Sequence, residues 1–254
     1  MRKLIALSML SAFSALSMAQ YIPAIPEAGG LNTMYRTAPR TYAQYVDESL
    51  MTGLTQPTLI TGITLRLAAG VPNGVVSNAW PPSNINFSDF TVKIGRASAA
   101  VQTASEFPSL GTFNSYFDPS ASIVRTGALS IGANSFTYNP LSSISNAVFN
   151  PWGYTLNFTT PYLYTPGTEL IYAVSHTGYG ASPTQAFFAS GNYAAGQTDA
   201  VAFVGASTFD SVAGGFSNPY VVQFQTAPVP EPGTIAALGL GLAALARRRK
   251  AKKA

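Results

Sequence analysis

Residues 58–67 read TLITGITLRL, and residues 154–159 read YTLNFT. In the first stretch Ile63, Leu65 and Leu67 share one face, while Thr64, Arg66 and Ala68 share the other. In the second, Tyr154, Leu156 and Phe158 alternate with Thr155, Asn157 and Thr159. Side chains of an extended chain point alternately to opposite faces. Period-two alternation with one polar face therefore predicts antiparallel sheet covered on one side. Comparable apolar stretches recur at residues 90–94, 122–131, 170–175, 185–189, 200–204 and 220–225. They are rich in β-branched and aromatic residues, and Gly, Pro, Asn and Ser separate them. No long stretch carries the 3.6-residue stripe of a helix. The pattern predicts an all-β fold: a single antiparallel β-sandwich, jelly-roll-like, of about eight to ten strands. Longer loops are expected at residues 70–88 and 175–184. No repeat period supports a solenoid or propeller.

Composition narrows the class. The chain has 254 residues, no cysteine, one histidine and a formal charge of +4. Without cysteine there is no disulfide framework, thiolate metal site or cysteine nucleophile. The positive balance comes from the ends. Arg2 and Lys3 open the chain, and Arg247, Arg248, Arg249, Lys250, Lys252 and Lys253 close it. Between them, six basic residues face nine acidic ones, so the body is mildly acidic and excludes nucleic acid as a partner. Charged residues make up only 9 %, against about 25 % in ordinary soluble domains. The 47 % apolar content argues against intrinsic disorder.

Both ends read as addresses. Residues 1–19, MRKLIALSMLSAFSALSMA, place a basic start before an apolar core and end on small residues. This is the order of a secretory signal peptide, with Ser17 and Ala19 at the −3 and −1 positions. Signal peptidase is expected to cut between Ala19 and Gln20. At the far end stand Val229, Pro230, Glu231, Pro232, Gly233 and Thr234. An apolar run of 12 residues, 235–246, follows. Then comes the positive-inside cluster of Arg247, Arg248, Arg249 and Lys250, which suits a cytoplasmic end. As a helix the run would span about 18 Å, against roughly 30 Å of hydrocarbon. That length suits a transient handle better than a permanent anchor. The chain thus divides into a signal peptide (1–19), a sandwich body (20–227) and a sorting tail (228–254). The tail holds the motif, a short apolar helix that engages the membrane at least transiently, and the basic end.

The order Pro230-Glu231-Pro232, apolar helix, basic cluster resembles the PEP-CTERM sorting signal of bacterial exported proteins. The same short domain is also named after the C-termini of certain ice-binding proteins. The resemblance implies processing by an exosortase, a membrane enzyme acting near Pro-Glu-Pro. It also implies a location in the cell envelope, on the outer surface or outside the cell, often in species that make extracellular polysaccharide. The body is similar to uncharacterised PEP-CTERM surface proteins. The similarity lies in Arg40-Thr41-Tyr42-Ala43-Gln44-Tyr45-Val46, Ile60-Thr61-Gly62-Ile63 and Ser88-Asp89-Phe90-Thr91-Val92. It implies no activity.

Catalytic chemistry has few candidates. His176 is the only imidazole, and no Gly-x-Ser-x-Gly elbow accompanies it. A lone histidine at a strand end reads as a hydrogen-bonded structural residue, and it is too few ligands for zinc. No catalytic residue and no metal ligand is assigned. A calcium site built from loop carbonyls has no motif behind it. A long-range pair of carboxylates, as in a glycosidase, is not excluded by spacing. Aromatics are in surplus, with 13 Tyr, 15 Phe and 2 Trp. Most belong in a core. Tyr162, Tyr164, Tyr179, Trp80 and Trp152 adjoin Pro or Gly, where loops are expected; the favoured reading is that these rings pack under the loops, the alternative that exposed ones stack on sugars. The leading expectation is a non-enzymatic envelope or extracellular-matrix protein. The alternative is a carbohydrate-binding or adhesive module for exopolysaccharide, and behind it a secreted glycan hydrolase. Ice binding would need a regular threonine array that is missing.

Overall fold

The computed structural model describes residues 19–27, 30–70, 79–102, 111–180, 183, 186–191, 200–205 and 208–229. The fold is all-β, as expected. In chain order its strands are β1 (Ala19–Tyr21), β2 (Gly30–Asn32), β3 (Arg40–Val46), β4 (Thr58–Arg66), β5 (Ala79–Trp80), β6 (Ile85–Phe87), β7 (Phe90–Arg96) and β8 (Ser122–Arg125). Then come β9 (Leu129–Ile131), β10 (Phe136–Thr137), β11 (Trp152–Tyr164), β12 (Leu170–His176), β13 (Phe188–Ser190), β14 (Ala200–Gly205), β15 (Ala213–Ser217) and β16 (Gln223–Pro228). A four-stranded sheet, β1-β16-β4-β11, faces a six-stranded sheet, β15-β14-β3-β12-β7-β8. Three two-stranded ribbons, β10-β5, β13-β2 and β6-β9, complete the described sheet structure. All these pairings are antiparallel.

The main core lies between the two large sheets. Ile63, Leu65 and Leu67 from β4 and its end, Leu156 from β11 and Phe224 from β16 meet Tyr42, Val46, Val92, Ile94, Leu170, Tyr172 and Val174. One end of this core is aromatic. Tyr35 sits among Trp80, Phe87, Phe90, Phe136 and Phe188, with ring centroids 5.4–6.3 Å away. Such tilted and edge-on packing adds to the burial of the rings.

The outer face of the six-stranded sheet is covered as well, contrary to the expectation of sheets covered on one side. Ala43 and Tyr45 of β3, with Ile171 and Ala173 of β12, pack beneath Val101, Phe113, Tyr116 and Phe117. A one-turn helix, Ala99–Gln102, and a 3₁₀ turn, Phe113–Tyr116, carry that cover. β3 and β12 are therefore buried along their whole lengths.

Several polar side chains on buried strands are paired. The Gln44 carbonyl accepts bonds from Tyr42 Oη at 3.2 Å, Tyr172 Oη at 3.0 Å and the Tyr220 amide at 2.7 Å. Its Nε2 donates to the Tyr220 carbonyl at 3.0 Å. On the four-stranded sheet Gln225 Nε2 donates to Thr64 Oγ1 at 2.8 Å, and Thr64 pairs with Thr155 at 2.8 Å. Satisfied in this way, buried amides and hydroxyls avoid a desolvation cost of about 1–3 kcal/mol each.

The leading segment is clamped by Glu27. Its carboxylate accepts from Arg66 Nη2 at 2.8 Å and from the Ala69 amide at 2.9 Å. Arg66 lies over the rings of Phe149 and Trp152, at 4.2 and 4.8 Å from their centroids. β11 bends near its middle. Asn157 pairs with Gly62 and Tyr162 with Ile60, so residues 158–161 bulge opposite Thr61 alone. Pro161 can occupy this bulge because it has no amide to offer the ladder. Thr159 instead reaches across to the other sheet, donating to the Val124 carbonyl of β8 at 2.9 Å.

Candidate functional sites

His176 ends β12 inside the aromatic core. Its ring stacks on Phe90 at 5.6 Å and meets Phe87 edge-on at 4.9 Å. Nε2 lies 2.9 Å from the Met34 carbonyl, and Nδ1 accepts from the Gly178 amide at 3.0 Å. The pair of bonds fixes the tautomer with its proton on Nε2. Burial pushes its pKa down to about 4, so the ring is neutral. Both nitrogens are spent on backbone, which leaves no lone pair for a serine or a metal.

Most of the described carboxylates are also engaged. Glu27 holds Arg66. Asp47 caps the turn Glu48–Met51 through the Ser49 amide and accepts from Tyr45 Oη at 3.2 Å. Asp89 accepts from the Gly127 amide at 3.2 Å. Asp210 accepts from Asn114 Nδ2 at 2.7 Å, and Asn114 accepts from Lys93 Nζ at 2.8 Å. Asp47, Glu169 and Glu48 all lie near Tyr45. Burial, and then these charges, raise its phenol. Among the described residues, no group of three or more His, Cys, Asp or Glu is placed to hold a metal ion.

The aromatics singled out beside Pro or Gly mostly pack inward, as the favoured reading expects, although Trp80, Trp152 and Tyr164 do so from strands and not from loops. Trp80 is fully buried beside Tyr35 and Phe136, and Tyr164 is buried with its hydroxyl on the Thr168 carbonyl at 3.1 Å. Trp152 lies in β11 against Arg66, and Tyr179 packs edge-on to Phe87 at 5.6 Å. Pro and Gly neighbours mark chain bends, but they do not decide which way a ring turns. Rings this large go to the core when it has room for them.

Tyr162 differs. It packs partly on the main core and lines an open groove of about 360 Å³ where β7, β8 and β11 meet. Arg96, Ser120, Ser122 and half-exposed Leu163 share the lining. Asp118 adjoins the groove. Its carboxylate is held below the usual range, chiefly by the Ser120 hydroxyl and then by the Ser120 amide. Residue-by-residue reading does not find Arg96. The signal it contains is Pro161 inside a long strand, which marks a bulge beside the groove.

The expected signal-peptide cut and the last strand before the tail lie side by side in the four-stranded sheet, away from β11. Ala19 and Gln20 lie in β1, where Ala19 pairs with Thr226 and Gln20 with Gln225. Thr226 Oγ1 donates to the Ala19 carbonyl, the bond partner of the expected cut, at 3.0 Å. β16 runs on to Pro228, and half-exposed Val229 is the last described residue. Pro230, Glu231, Pro232, Gly233 and Thr234, the apolar run and Arg247, Arg248, Arg249 and Lys250 lie outside the described residues, as do residues 1–18. Among the described residues no helix is long and apolar enough to cross a membrane.

The family model for the PEP-CTERM protein-sorting motif matches residues 228–250. The chain carries a PEP-CTERM sorting signal. The match begins at the last residue of β16, so the PEP-CTERM signal starts where the sheet stops. It marks an exported protein destined for exosortase processing. No curated protein and no solved structure matched the chain.

Proposed function

We propose that this PEP-CTERM protein is a non-enzymatic envelope or extracellular-matrix protein. Its β body would be the part displayed, and its tail the part processed. The reading is carried by the way the described polar groups are used. His176, Glu27, Asp47 and Asp210 each hold a neighbouring element in place. The short connection from β16 to the PEP motif supports it, because an exosortase meets the motif directly beneath a folded domain. In this account the apolar run holds the tail in the membrane until the cut, with the basic cluster on the cytoplasmic side.

The test is to incubate the exported protein with polysaccharide from its producing cells. The reading expects polymer length and reducing-end concentration to stay constant. Release of reducing ends, abolished by substituting one carboxylate, would show a hydrolase and overturn the reading.

A second reading, a carbohydrate-binding or adhesive module, is favoured by one observation. Tyr162, one of the flagged rings, lines a groove edged by hydroxyls.

A further inference from the structure

We propose that the groove at the junction of β7, β8 and β11 is a subsite for a neutral hexopyranose unit of a polysaccharide, with Tyr162 and Arg96 as its recognition pair. The proposal rests on the carbohydrate-binding reading and deepens it by naming a place and a sugar class.

The groove is built by the β11 bulge. Residues 158–161 leave the ladder with β4, and Tyr162 rejoins it opposite Ile60. A bulge re-aims the side chains that follow it. Tyr162 is thereby anchored on the core while it lines the groove. An aromatic ring held from behind gives the apolar face of a sugar a platform at little entropic cost. Half-exposed Leu163 extends the apolar side.

The polar side supplies both kinds of hydrogen bond. The Arg96 guanidinium is exposed and makes no hydrogen bond or ion pair with any described residue. It therefore keeps its full set of donors. Ser120 and Ser122 line the same space. Asp118 supplies an acceptor at the rim, and its charge is felt by both Arg96 and Tyr162. A guanidinium in the groove and a carboxylate at its rim suit vicinal hydroxyls, one donating and one accepting. Their charges also cancel, which selects against a uronate or sulfated sugar, since either would meet Asp118. The volume of about 360 Å³ falls within the usual range for small-ligand sites of about 300–1,000 Å³.

The experiment uses the exported protein purified from its producer. It is titrated with glucose, galactose and mannose oligosaccharides, and with oligogalacturonate as the acidic arm. The expected result is binding of at least one neutral oligosaccharide, little changed by added salt. Tyr162→Ala and Arg96→Gln should each weaken it by about tenfold or more. Tyr162→Phe should retain most of it, because the ring platform survives. Thermal midpoints of all three variants confirm that each is folded. Neutral binding that ignores all three substitutions would leave the carbohydrate reading standing and overturn the groove. Salt-suppressed binding of oligogalacturonate alone would overturn the neutral assignment. Binding of no oligosaccharide would overturn both the groove and the reading beneath it.

Discussion

His176 shows how a residue type with catalytic associations is absorbed by a fold. Between the Met34 carbonyl and the Gly178 amide, with Phe90 and Phe87 against its faces, the ring has no room for a second proton. Gly178 has a φ of +80°, and a Cβ there would collide with the backbone of residues 37 and 38. A glycine is thus required to bring that amide to Nδ1. Burial lowers the folded-state pKa to about 4, against about 6.5 when unfolded. The unfolded chain therefore binds the proton first. The stability contributed by the neutral ring is complete above about pH 6.5 and is lost as the pH falls toward 4. At most about 3 kcal/mol is involved. Urea unfolding at pH 7 and pH 4 should show a larger loss for the wild type than for His176→Gln, which cannot titrate. Equal losses would show that His176 is not the group responsible.

At the scale of elements, β4 and β11 were legible in the sequence because their alternation is strong and one face is apolar. β11 runs longer than its alternating part, from Trp152 to Tyr164, since the bulge resets its register after Asn157. The stretch 122–131 is two strands, β8 and β9, divided at Gly127, whose φ of +100° turns the chain. β3 was hidden for a different reason. Its Thr41 and Gln44 put a polar residue on each face and blur the alternation, yet Thr41 donates to Ser175 Oγ at 3.1 Å and Gln44 satisfies three tyrosine-containing partners. Long-range pairing of this kind leaves no periodic trace. The β4–β11 pairing also makes a prediction. A Cβ at Gly62 would lie 2.9 Å from the Leu156 carbonyl oxygen and 3.3 Å from Asn157 Cα. Both are backbone atoms of the strand entering the bulge and cannot swing away. Gly62→Val should cost about 1–3 kcal/mol, despite the strand preference of valine. Chemical denaturation measures it, and an unchanged or raised midpoint would refute the close approach.

For the whole molecule, the sandwich class was readable from composition and period, but its two-sided cover was not. The second core draws on a short helix and turns near residues 99–117, where no strand pattern announces a partner. The sorting tail was the most legible part, because its three components must follow one another in sequence. The groove was the least legible. Arg96 and Tyr162 are 66 positions apart in the numbering, and only the bulge brings them to one surface. The topology also links the two ends. Ala19 and Thr226 are ladder partners, so the expected signal-peptidase cut lies across from a residue two positions before the start of the PEP-CTERM match. The central claim is that the last strand hands an exported body to an exosortase, which removes the tail. Intact-mass analysis of the exported protein tests it most directly, comparing the wild type with a variant whose Pro230, Glu231 and Pro232 are all alanine. The account predicts that the wild-type protein begins at Gln20 and lacks Arg247, Arg248, Arg249 and Lys250, while the variant stays membrane-associated and keeps all four. A wild-type protein that retains those basic residues in cells with an active exosortase would contradict it.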